Sequence, residues 1–384
     1  MTRRIPVTIL TGFLGAGKTT LLNRLLTQPG FGDTAIIVNE FGEAGIDGGL
    51  IAEADERALA MSVGCLCCTV SGDVRQTLLG LLGEAETGAG PSFERVVIET
   101  TGVADPLPLI QTFMTDAFML SKFTLNGVVT LVDTINGEDA LSRFPEAQRQ
   151  VAVADLLLVT KADLAKDPAS ARELAALKGS LARQNPNARL RDVSEATATE
   201  VFSLAAFDPA GKPPDVAEWL RFEAGHDHHH HDHHHHGHHH HGHDHHHHGH
   251  DHHHGHDHDH HHDVNSHGDT ATAYCFSAAA PLDATKVDAA IRALQSCFGA
   301  DLLRLKGLAE IAGHAGEPLL MHVVGHLASP FRHLPDWPRG ISETRIVMIV
   351  SGPTRSEAAR LMTDFLPELI PFGAAPPELA EEIA

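Results

Sequence analysis

The sequence predicts an α/β fold: a mostly parallel sheet flanked by helices, followed by a small α+β C-terminal domain. Three observations carry this. Short β-branched runs alternate with amphipathic stretches from residue 5 to about 190, as expected of strand-helix-strand units. Several runs, such as Val128-Val129-Thr130-Leu131-Val132, are continuously apolar, which a strand requires when both sheet faces are covered. The composition, 42% hydrophobic and 20% charged over 384 residues, leaves room for one large domain and a smaller one.

The strands expected in the first region are 5–10, 35–39, 95–100, 127–133 and 155–160, with helices at 18–26 and 169–182. Past residue 205 the composition turns to Pro, Gly and Asp, with one short helical piece at 216–222. The histidines follow: 27 of the chain's 32 fall in 226–262, a window whose other members are Asp and Gly. Such a stretch cannot form a core, so 206–272 is expected to be a connection largely disordered without metal. Regular pattern resumes at 273, with strands at 274–278, 302–311, 318–324 and 345–350 and helices at 283–297 and 356–365. The domains are therefore expected at 1–205 and 273–384, the second with no evident chemistry of its own. Its histidines, His314, His322, His326 and His333, read as surface or interface residues, and Cys275 and Cys297 as core packing.

Charge and cysteine usage narrow the function. A formal net charge of -22 argues against a nucleic-acid partner. Half-protonation of the histidines near pH 6.5 would bring it to about -6. Five cysteines are too few for a disulfide framework. No apolar run reaches the roughly 18 residues of a membrane span, and 5–10 is too short for a secretory signal. A cytoplasmic protein, with no membrane partner, is expected.

Directly after the first strand, Gly12-Phe13-Leu14-Gly15-Ala16-Gly17-Lys18-Thr19-Thr20 fits GxxxxGK[ST] and opens a helix. Backbone N-H groups from Gly12 through Thr20 can turn inward around phosphates, Lys18 reaches the terminal phosphates, and the Thr19 hydroxyl can ligate Mg2+. Which base is bound depends on Thr160-Lys161-Ala162-Asp163 at the end of the 155–160 strand. Asp163 can accept two hydrogen bonds from a guanine edge while the Lys161 stem covers the ring, so GTP is favoured. The usual guanine motif begins with Asn, where Thr160 stands here. Glu99-Thr100-Thr101-Gly102 closes another apolar strand. Glu99 there suits the Mg2+ shell, and the Gly102 N-H could approach the terminal phosphate. No glutamine or arginine is singled out as the group that orients water.

Between these elements lies Gly64-Cys65-Leu66-Cys67-Cys68. Its thiolates can hold a tetrahedral ion such as zinc or Co(II), with a further ligand from elsewhere. A reactive redox pair, or three small buried hydrophobes, are the other readings. The histidine tract can hold several ions as a reservoir, or can be a solvated loop.

TGFLGAGKTT, Asn39-Glu40-Phe41-Gly42-Glu43, GCLCC, ETTG followed by Val103-Ala104-Asp105-Pro106, TKAD, and the late Leu302-Leu303-Arg304-Leu305-Lys306-Gly307, in that order, resemble the CobW-type metallochaperone GTPases. The resemblance covers nearly the whole chain. It implies a P-loop GTPase in which Lys18, Thr19 and Glu99 serve hydrolysis and Thr160 to Asp163 read guanine. It further implies Cys65, Cys67 and Cys68 as ligands of a transferred metal, with Glu40 as an additional ligand or switch residue. The expected partners are GTP, Mg2+, zinc and a client metalloprotein, with a homodimer as one option. Residues 123–136 are more similar to the zinc-associated members than to the cobalt branch of cobalamin synthesis, which remains the alternative. A second alternative is a His-rich metal buffer with a regulatory GTPase domain.

Overall fold

The computed structural model describes residues 4–28, 33–39, 66–70, 73–202, 204, 271–338, 341–352 and 354–371. Glu40, Cys65, the tract at 226–262 and the short piece at 216–222 lie outside them.

Seven parallel strands form the first sheet: β1 (Ile5–Gly12), β2 (Thr34–Asn39), β3 (Leu66–Val70), β4 (Arg95–Thr100), β5 (Phe123–Asp133), β6 (Leu156–Thr160) and β7 (Arg189–Asp192). Their order is β3-β2-β4-β1-β5-β6-β7. The apolar runs are explained by burial on both faces. Leu10, Ile36, Val97 and Val129 pack with Leu21, Leu22 and Leu25 of the helix Lys18–Leu26. Val7, Ile37 and Ile98, one residue out of phase, pack with Leu78 and Leu81 of the helix Val74–Thr87. β3 and β7 were not anticipated. LCCTV reads as a metal motif rather than a strand, and RLRD is a polar edge strand whose residues are at most half-buried.

The second sheet is antiparallel. It orders β11 (Leu327–Ala328), β10 (Leu319–Val324), β9 (Leu302–Ala309), β13 (Thr344–Val350), β8 (Thr272–Ala278) and β14 (Ile370–Pro371), and β12 (Arg332–His333) pairs with β10. The helices Ala284–Phe298 and Arg355–Phe365 cover one face, where Ile346, Met348 and Val350 meet Ile291, Leu294 and Met362. The other face is not solvated. Leu303, Val347 and Ile349 pack on Ile110, Met114 and Val153 of the first domain.

That seam carries charge. Asp155, just before β6, has Oδ1 at 2.8 Å from the Arg304 guanidinium and 2.6 Å from Lys306 Nζ. Its Oδ2 accepts the Val128 N-H at 2.9 Å. Burial alone would raise the Asp155 carboxyl, but Arg304 and Lys306 outweigh it and hold the group well below the usual carboxylate range. His322 is buried beside them at the seam, so of the two positions expected for these histidines, surface or interface, it does not take the surface one. Burial first, then the charges of Arg304 and Lys306, push its imidazole well below its ordinary value.

Cys297 is exposed, not core. The amphipathic helix Ala284–Phe298 turns Leu294 and Phe298 inward and leaves Cys297 outside. Cys275 is half-buried, and burial pushes its thiol up to about 12. No described helix is long and apolar enough to cross a membrane.

Candidate nucleotide and metal site

β1 ends at Gly12, whose φ is +143°. A Cβ there would lie 2.5 Å from the Leu131 carbonyl oxygen of β5, so the chain can turn at this point only as glycine. Gly15 and Gly17 are also left-handed, at +72° and +90°, and Gly17 caps the helix Lys18–Leu26. The turn aims backbone N-H groups at the head of that helix, where the helix dipole favours an anion.

Lys18 is buried, and its ammonium donates to the carbonyls of Gly12 at 2.8 Å and Phe13 at 3.2 Å. Burial lowers its pKa, and the charge of Glu99 opposes that shift. Thr19 Oγ1 donates to Glu99 Oε1 at 2.7 Å across 80 residues of sequence, so both groups nominated for Mg2+ meet. Glu99 is 4% exposed. A hydroxyl and a carboxylate at the phosphate end of the sheet are the hard oxygen donors that Mg2+ takes. Thr100 Oγ1 donates to Thr11 Oγ1 at 2.8 Å and ties the ends of β4 and β1 together.

At the base end, Thr160 is buried and Asp163 is exposed in the turn Ala162–Leu164. Lys161 adopts φ +59°, unusual for a residue with a side chain. Its ammonium lies 2.6 Å from Asp133 Oδ2, which also accepts from Asn136 Nδ2 at 3.0 Å. Burial acts to raise the Asp133 carboxyl, but the Lys161, Ile135 and Asn136 hydrogen bonds more than reverse it and hold the group below its ordinary value. The Lys161 stem is thus fixed by Asp133, a residue the sequence did not single out.

Gly102 sits against the phosphate loop. A Cβ on it would fall 2.7 Å from the Leu14 backbone nitrogen. The loop it begins is gripped from the helix Pro145–Ala152. Gln150 Nε2 donates to Gly102 O at 3.1 Å and to Ala104 O at 3.0 Å, and Arg149 donates to Asp105 Oδ2 at 3.2 Å. Neither Gln150 nor Arg149 belongs to any recognisable motif.

Residues 6–190 match the CobW/HypB/UreG nucleotide-binding domain, and residues 271–366 match the cobalamin synthesis protein cobW C-terminal domain. The chain belongs to the CobW family. It is 44% identical over 161 residues to the zinc chaperone YjiA of Escherichia coli K12, covering 42% of this chain and 50% of that protein. It is 32% identical over 214 residues to the zinc-regulated GTPase metalloprotein activator 1 of Schizosaccharomyces pombe, covering 54% of this chain and 50% of that one. The chain thus spans about half the length of these curated relatives. The crystal structure of the Zn(II)-bound YjiA GTPase from E. coli superposes with a TM-score of 0.65 at 27% identity, covering 95% of this chain and 99% of that one.

In this CobW-type sheet the cysteine motif runs into the edge strand β3. The backbones of Cys67 and Cys68 pair with Ile36 and Ile37 of β2. One row further along, Thr69 pairs with Val38, and Val38 pairs with Glu99 of β4. Cys68 is therefore one residue from the row of Glu99 and two strands away, about 10 Å across the sheet.

Proposed function

We propose that the chain is a GTP-hydrolysing metal chaperone of the cytoplasm, which carries zinc on Cys65, Cys67 and Cys68 and hands it to a client metalloprotein. The observation that carries this reading is the strand register, in which the backbone of Cys68 lies two strands from β4 and one residue from the row of Glu99, which supports a thiolate motif working next to a nucleotide site. The relatives named as zinc chaperones and as a zinc-regulated GTPase metalloprotein activator support zinc over cobalt as the cargo.

In this reading Lys18 binds the terminal phosphates and exchanges its two carbonyl partners for anionic oxygens. Thr19 and Glu99 would hold Mg2+, which would supply positive charge beside the phosphate oxygens. Asp163 accepts from the guanine edge, and Lys161, fixed by Asp133, covers the ring. Glu40 follows directly on β2 and joins the ligand set or switches with the nucleotide. If GTP-bound protein holds zinc more tightly than GDP-bound protein, hydrolysis weakens the grip and zinc reciprocally tightens GTP. Ligand type alone cannot supply that control, because intrinsic affinities follow a fixed metal order that favours copper.

Titrating zinc in the presence of GDP and of a slowly hydrolysed GTP analogue tests the proposal. The two zinc affinities are expected to differ by about 5-fold to 150-fold, the range of ordinary coupling energies. Replacing Cys65, Cys67 and Cys68 with Ala should abolish the difference while GTP still binds; coupling that survives the replacement refutes the chaperone mechanism. Deleting 226–262 should lower metal stoichiometry and spare hydrolysis, which separates carrier from buffer. Metal loading of that tract is expected to fall as pH drops through about 6.5, where protons compete for imidazole nitrogen.

A further inference from the structure

The helix Pro145–Ala152 touches both the 102–105 loop and the second domain, as does the helix Leu107–Thr115, which continues that loop and whose Gln111 donates to the Val324 carbonyl. Near the end of Pro145–Ala152, Gln150, 1% exposed, spans the carbonyls of Gly102 and Ala104. Arg149 adds the half-buried pair with Asp105. Just past the helix, the carbonyls of Val153 and Ala154 accept from the Arg304 guanidinium of the second domain. Asn185 closes the remaining helix-end carbonyls, donating to Val151 at 2.8 Å and Ala152 at 3.1 Å. Unmade bonds at a buried helix end are costly, so this end is firmly tied to Arg304 and Asn185. From Gln150 to Val153 the helix rises only about 4.5 Å.

On the other side, Gly102 has no room to shift toward Leu14. A displacement of 102–105 must therefore either break the Gln150 bonds or carry the helix with it. Packed helices move as rigid bodies more readily than they deform.

We infer that Gln150 is a positioning residue for GTP hydrolysis, holding the 102–105 loop in place beside Glu99 and the phosphate loop, and that its helix passes the loop's position to the C-terminal domain through Arg304. The inference rests on the GTPase reading above. Gln150 suits the task because its neutral amide carries two N-H donors, and here both go to carbonyls. A glutamate at this position would set a carboxylate against two carbonyl oxygens.

The test uses the full chain and two readouts. In Gln150→Ala, kcat is expected to fall about tenfold with KM for GTP within twofold, because the residue contacts no phosphate and acts on the transition state alone. Amide exchange across 302–309, which should differ between the GDP and GTP-analogue states of the unaltered protein, should become the same in both states. In Gln150→Glu, activity relative to Gln150→Ala should rise as pH falls, since a protonated carboxyl can donate one of the two bonds; a merely space-filling residue gives no such trend. Should Gln150→Ala fold poorly, Arg149→Ala removes only the half-exposed pair with Asp105 and should lower kcat two- to threefold. A tenfold rise in KM at unchanged kcat, or exchange at 302–309 that still tracks the nucleotide in Gln150→Ala, overturns the inference. If the unaltered protein hydrolyses no GTP, the GTPase reading fails, and exchange at 102–104 without nucleotide still decides the clamp. It should rise about tenfold in Gln150→Ala, and no change refutes the clamp by itself.

Discussion

Two buried lysines divide this molecule. Lys18, 9% exposed, gives its hydrogen bonds to the neutral carbonyls of Gly12 and Phe13. Lys306, 1% exposed, faces a carboxylate at 2.6 Å. Burial lowers both pKa values, with Glu99 opposing the shift at Lys18 and Asp155 opposing it at Lys306, where Arg304 adds to it. The difference teaches what each charge is for. Lys18 keeps a charge that a phosphate can claim, because carbonyls satisfy its protons without neutralising it. The charge of Lys306 is already answered by Asp155 and can only hold the seam together.

Asp155→Asn should break that contrast most severely. It leaves Arg304 and Lys306 buried without their carboxylate, which costs about 3 to 5 kcal/mol. Urea unfolding should show it, while GTP affinity per folded molecule changes little. Lys18→Ala should do the reverse, lowering kcat/KM for GTP by about 10²- to 10³-fold with the urea midpoint nearly unmoved. A large stability loss in Lys18→Ala would mean that the two lysines are alike after all.

Acid sharpens the comparison. The folded Asp155 carboxyl is held below its unfolded value of about 3.9. Its contribution is therefore fully present above that pH and lost as pH falls from there toward the folded value. The loss should be of order 2 kcal/mol in the unfolding free energy from urea titrations between pH 5 and 2, and the limb should be absent in Asp155→Asn. Gly102→Ala forces a methyl into the Leu14 backbone and should cost about tenfold in kcat together with about 1 to 3 kcal/mol of stability, as an overpacked site does. Smallest is Asp163→Ala, an exposed position at which GTP should lose about five- to tenfold in affinity over ATP in a competition assay.

The strands expected at 5–10, 35–39, 95–100, 127–133 and 155–160 all form within a few residues of those bounds, because a strand covered on both faces must be apolar without interruption. Past residue 273 the longer strands β8, β9, β10 and β13 and both helices were equally readable from their periodicity, while the two-residue strands β11, β12 and β14 were too short to leave one. β3 escaped because its cysteines drew a chemical reading, and β7 because an edge strand can be polar. In the candidate site Lys18, Thr19 and Glu99 stood in recognisable patterns. Asp133, which fixes Lys161, and Gln150, which grips Gly102 and Ala104, did not. Both act across loops whose closure no local pattern records.

The sequence by itself determined the phosphate loop, since holding a phosphate is a matter of backbone turns and one helix end within nine consecutive residues, 12–20. It also determined which faces of the strands and helices are apolar, because those periods are local. The tertiary structure alone decided that Arg304, Lys306 and His322 of the second domain gather around one carboxylate of the first. It also decided that Gln150 bonds two carbonyls 46 and 48 residues away in the chain. The energy of a buried charge or amide depends on what surrounds it on every side, and those surroundings are assembled by folding.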